Sequence, residues 1–84
     1  IILDEAYAEM RFDELKKSFL SINYKLKERI ILIRSATKAL SCAGERMAVV
    51  VTFDMKIMAE LTKTNIFVCG HSPRSLQHAY AEAM

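Results

Sequence analysis

Apolar residues at Phe12, Leu15, Phe19, Ile22, Leu26, Ile30, Ile33 and Leu40 recur at steps of three, four or seven, the spacing that lines one face of a helix. Lys17, Ser21, Lys25, Glu28 and Ser35 fall on the opposite side. The pattern predicts one long helix over residues 3–43, with a kink at SINY (21–24). At ~1.5 Å per residue it would be about 60 Å long, so it needs another helix alongside, from this chain or a second copy. Gly44 follows the last periodic residues and suits a C-terminal cap.

Beyond it, Glu45, Thr52, Lys56, Glu60 and Lys63 recur at steps of seven, four, four and three, which predicts a second, largely buried helix over 45–63. The β-branched string AVVVTF also suits a strand. That leaves an α+β alternative with strands at 48–53 and 65–69 around a short helix. Near the end of the chain, Ser72 suits an N-cap and Pro73 the first helical position, with Leu76, Ala79, Tyr80 and Ala83 on the inner stripe. The expected architecture is a single all-α domain over 1–84, with a long helix at 1–43 and a helix-turn-helix-like segment at 45–84, forming a bundle through self-association.

Composition strengthens the expectation of self-association. With 52% hydrophobic residues in 84, the chain holds more apolar surface than a small monomer easily hides, so a homo-oligomer is expected. Charge is uneven: Asp4, Glu5, Glu9, Asp13 and Glu14 stand against Arg11 in residues 1–14, while residues 15–41 carry seven basic residues against Glu28. That polarity suits antiparallel pairing of chains, a basic segment free for phosphate, or a solvated helix face. Cys42 and Cys69 are too few for a disulfide framework, which makes the cytoplasm the default. The longest apolar run, MAVVV at 47–51, is far short of the ~20 residues that span a membrane.

Little in the sequence points to catalysis. Cys42 or Cys69 with His71 or His78 is the only candidate nucleophile–base pair, and neither context resembles a nucleophile motif. The same four residues match no common zinc spacing, so no metal is expected. No glycine-rich phosphate loop is present, and no cofactor or small-molecule substrate is expected. Met10, Met47, Met55, Met58 and Met84 are placed in the core rather than on a binding surface.

The segment CGHSPRSLQHAY (69–80) holds one of two glycines and the only proline. Gly70 permits a tight turn, Ser72 caps a helix whose N-terminus faces phosphate, and Arg74, Gln77 and His78 lie outward, as a DNA-reading helix requires. The string Gly70-His71-Ser72-Pro73-Arg74-Ser75-Leu76-Gln77-His78-Ala79-Tyr80 resembles the recognition-helix segment of AraC/XylS-type helix-turn-helix transcription regulators. The resemblance implies that Arg74, Gln77 and His78 face bases of double-stranded DNA, that Ser72 and Ser75 lie near phosphate, and that Leu76 and Tyr80 are core. The function expected is therefore a DNA-binding, non-enzymatic regulator. The alternative is a helical assembly or adaptor protein that binds copies of itself or a partner helix.

Overall fold

The computed structural model describes residues 1–12 and 17–83. It contains a three-stranded mixed sheet in place of the long helix. Strand β1 (Ile2–Asp4) runs parallel to β2 (Ile31–Ser35), with Ile2 opposite Ile31 and Asp4 opposite Ile33. Strand β3 (Ala48–Thr52) lies antiparallel on the other side of β2, with Ile31 opposite Thr52 and Ser35 opposite Ala48. Helices α1 (Phe19–Ile22), α2 (Ala36–Ala39), α3 (Met55–Val68) and α4 (Arg74–Ala83) complete the α+β fold, with 3₁₀ turns at Ala8–Met10, Tyr24–Arg29 and Ala43–Glu45.

The expected all-α architecture is thus corrected, and the reason lies in β2. As the central strand it is covered on both faces: Leu32 is buried, and Ile31 and Ile33 are half-buried. Such a strand reads as a continuous apolar run rather than an alternation. The apparent helical stripe joins separate elements: Phe19 in α1, Leu26 in a 3₁₀ turn, Ile33 in β2 and Leu40 just past α2. Leu15 of that stripe lies outside the described residues, as do Asp13, Glu14, Lys16 and Met84. Helix continuity is broken from Ser18 onward, where the hydroxyl accepts from the Leu20 N–H to start a new four-residue helix.

The expected second helix over 45–63 is divided between β3 and α3. Asp54 separates them by capping α3, its Oδ1 accepting from the N–H groups of Lys56 (2.9 Å) and Ile57 (3.2 Å). Helix α3 has no buried residue, and Met55 and Phe67 are strongly exposed. Residues 65–69, weighed as a strand, form its last turn and C-cap. Gly44 is not a helix cap. The left-handed backbone falls on Ser41 (φ 53°), Arg46 (φ 44°) and Gly70 (φ 68°) instead.

Ala36, Met47 and Tyr80 are buried together, with Leu40, Val49 and Leu76 packed around them. This cluster fixes α4 against the start of α2 through Leu76 and Tyr80, while Ala79 and Ala83 face outward. Of the described methionines only Met47 is buried. No helix among the described residues is long and apolar enough to cross a membrane.

Candidate active site

Because β1 and β2 are parallel, their carboxyl ends, Asp4 and Ser35, lie at the same edge of the sheet. Ligands gather at that edge in sheets of this kind. The chain leaves β1 through a turn bearing Tyr7, and leaves β2 directly into α2, which bears Lys38. The two meet: Lys38 Nζ stands 5.6 Å from the centroid of the Tyr7 ring, within range of cation–π attraction. Lys38 is exposed, Tyr7 is 58% exposed, and Asp4 is exposed with Oδ1 accepting from the Ala6 N–H at 3.1 Å. An amine, a phenol and a carboxylate are therefore open to a ligand at one sheet edge.

The loop that follows Lys38 carries both non-glycine residues with positive φ among the described residues, Ser41 and Arg46. Each conformation costs about 1–2 kcal/mol for an L-residue, and such strain tends to collect where a site requires it. Arg46 donates from Nη1 to the Ala43 carbonyl at 3.3 Å and is otherwise exposed. An open cleft of about 600 Å³ adjoins Asp4 and Tyr7 and extends toward Ser18, Phe19 and Arg34; Lys38 does not line it.

Beside Asp4, a charge network joins the two parallel strands. Arg34 Nη2 donates to Glu5 Oε2 at 3.2 Å and Nη1 to Glu9 Oε1 at 2.9 Å, while the Ser18 hydroxyl and the Phe19 N–H donate to Glu5 Oε1 at 2.8 and 3.1 Å. The acidic start of the chain thus meets part of its basic middle within one molecule. Burial alone would raise the Glu5 carboxyl, but the hydrogen bonds from Ser18, Phe19 and Arg34, together with the Arg34 charge, outweigh it and hold the group below its ordinary value. A carboxyl depressed on folding stabilises the fold fully above its unfolded value, 4.5, and loses that contribution as pH falls through the lower folded value. Glu5→Gln should therefore flatten the acid limb of stability. Urea unfolding between about pH 3 and 6 checks this, and an unchanged acid limb in the variant would contradict it.

Burial also pushes the Tyr80 hydroxyl up, helped by the negative charge of Glu9 and opposed by Arg34. The core residue of α4 therefore lies within electrostatic reach of the same network.

The residues expected to read DNA lie on or just before α4. Ser72, Arg74, Ser75, Gln77 and His78 are all exposed. Gln77 donates to the Ser72 carbonyl at 2.7 Å, and Arg74 Nε approaches His78 Nε2 at 3.5 Å, so both contacts stay within the segment. Cys42 and Cys69 are free thiols, and Cys42 donates to the Leu40 carbonyl. Among the described residues no group of three or more His, Cys, Asp or Glu converges as a metal site would. Asp4, Tyr7 and Lys38 escape sequence reasoning because no local motif joins them. The signal present is a pair of β-branched strings, IIL and IILI, each followed within a few residues by a polar group.

A lysine held beside a phenol, with a carboxylate at the carboxyl end of one of the same two parallel strands, is a set of groups suited to handling carbonyl compounds through an amine. The family model for aminotransferase class I and II matches residues 1–84, and the chain belongs to that family. No curated protein and no solved structure matches it. Family membership corrects the AraC/XylS resemblance, which rested on the short string 70–80, and with it the DNA-binding and transcription-regulation reading and the helical-adaptor alternative. It points to an enzyme where the sequence suggested none.

Proposed function

We propose that this chain carries the cofactor-holding site of an aminotransferase, which moves an amino group between an amino acid and a keto acid. The observation that carries the proposal is the meeting of Lys38 and Tyr7 beyond the ends of β1 and β2, with Asp4 at the end of β1, in a chain of this family. Such chemistry is served by pyridoxal phosphate, which supplies an aldehyde to take the amino group and a ring that draws electrons from the substrate α-carbon.

The donor set fits that group. Lys38 Nζ would be the amine that holds the aldehyde, with loss of water, and when free would be a base for the substrate proton. The Asp4 carboxylate favours a protonated ring nitrogen by charge. The Tyr7 hydroxyl is a hydrogen-bond donor for a ring oxygen, and the Arg46 guanidinium suits a phosphate.

Absorbance titration of the chain with pyridoxal 5′-phosphate tests this reading. Saturable binding at one equivalent is expected, and Asp4→Ala should weaken it about tenfold, the loss of one charge-assisted contact. Binding that rises without saturation, or that ignores Asp4→Ala, would contradict the proposal.

A further inference from the structure

We infer that Arg34 is a positioning residue: by holding Glu5 and Glu9 together it fixes the segment bearing Asp4 and Tyr7 relative to Lys38. The inference rests on the cofactor site proposed above. Glu5 directly follows Asp4, and Glu9 lies two residues past Tyr7. One guanidinium therefore grips the segment on both sides of Tyr7 and directly beside Asp4, through Nη2 to Glu5 and Nη1 to Glu9. Arg34 itself lies four residues before Lys38 on the other parallel strand, so the same side chain spans the two halves of the site.

Asp4 is already held by the pairing of β1 with β2, opposite Ile33, but from Glu5 to Met10 the backbone has few partners. The bonds across it are the Glu5 N–H to the Ile33 carbonyl at 2.9 Å, the Ala8 N–H to the Glu5 carbonyl at 3.0 Å and the Met10 N–H to the Tyr7 carbonyl at 3.1 Å. Only the first of these reaches β2. Ser18 adds a second support by donating to Glu5.

The network is a poor device for stability alone. Glu9 Oε2 and Arg34 Nε are both enclosed without a hydrogen-bond partner, and an enclosed polar atom left unpaired costs about 1–3 kcal/mol. Partly buried ion pairs also contribute little net stability compared with apolar packing. What the arrangement does provide is a fixed distance between two loops that meet a ligand, and binding groups need placement to within about 0.5 Å.

The position of Tyr7 under the Lys38 amine gives a readout that needs no cofactor. A methylene beside an aromatic ring has its proton resonance moved by the ring current, so the Lys38 ε-protons report where Tyr7 sits. In Arg34→Ala the inference expects this displacement to collapse toward the value of an exposed lysine, and pyridoxal 5′-phosphate affinity to fall about tenfold, the scale seen when the outer supports of a bound group are removed. Arg34→Lys, able to hold one carboxylate but not both, should fall between the wild type and Arg34→Ala, and it serves alone should Arg34→Ala unfold. Circular dichroism checks the fold in each case.

Retention of the Lys38 displacement in a folded Arg34 variant, with affinity within about twofold of wild type, would overturn the inference. If the wild-type chain takes up no pyridoxal 5′-phosphate, the proposed function fails, while the Lys38 resonances alone decide the role of Arg34.

Discussion

Lys38→Ala should lose pyridoxal 5′-phosphate capture by about a hundredfold or more, because the remaining contacts are hydrogen bonds of about 1–3 kcal/mol each and no longer include a covalent link. The control is Lys38→Arg. A guanidinium retains the positive charge and can still sit over the exposed Tyr7 ring, since arginine makes cation–π contacts readily. It cannot condense with an aldehyde. If Lys38 merely attracts phosphate, the Lys38→Arg variant should bind nearly as well as wild type; if its amine holds the carrier, both variants fail alike. Lys38 is exposed and, unlike Ala36 of the same short helix, takes no part in the buried cluster, so either change should leave the thermal transition almost where it was. Equilibrium dialysis and a melting curve on the same samples separate loss of chemistry from loss of fold.

Tyr80→Ala should have the largest effect on stability. The side chain is 8% exposed and packs with Ala36 and Met47, with Leu40, Val49 and Leu76 around them. Removing a buried aromatic ring costs about 3–5 kcal/mol, against a total of roughly 4–12 kcal/mol for a chain of this size. The melting temperature should fall by at least about 12 °C. Tyr80→Phe keeps the ring and, since the hydroxyl has no hydrogen bond among the described residues, should cost about 1 kcal/mol or less. A small effect of the alanine variant would show that α4 does not hold the core. The consequence reaches the site, because Ala36 is the first residue of the helix that bears Lys38.

The sequence and the fold agree best where chemistry is local. Gly70 takes the left-handed conformation its position requires, and Leu76 and Tyr80 point inward from the last helix. The β-branched string AVVVT forms a strand although the polar residues around it have helical spacing. There, packing beside β2 outweighs a periodicity assembled from several elements. Steps of three and four are a weak guide to helix when the apolar residues come from a helix, a turn and a two-sided strand in succession, as they do from Phe19 to Ile33.

The site was less legible for a different reason. Asp4, Tyr7 and Lys38 are ordinary residues in ordinary neighbourhoods, and only the parallel pairing of β1 with β2 makes them neighbours. Lys38 reads as one charge in a basic stretch, and Asp4 and Glu5 as part of an acidic one. Those two charge blocks meet within a single chain at Arg34. Conversely, the string 70–80 has the turn and outward polar residues of a reading helix, yet α4 begins only at Arg74, beyond the expected Ser72 cap and Pro73 first position, and Leu76 and Tyr80 dock it.

The central claim is that one lysine, Lys38, is the amine of the site. Treating the chain with pyridoxal 5′-phosphate, reducing with borohydride and mapping the modified peptide by mass spectrometry tests it directly. Label concentrated on Lys38, in preference to equally exposed lysines such as Lys25, Lys56 and Lys63, supports the account. Label spread evenly over the exposed lysines, with Lys38 no more reactive than the rest, would contradict it.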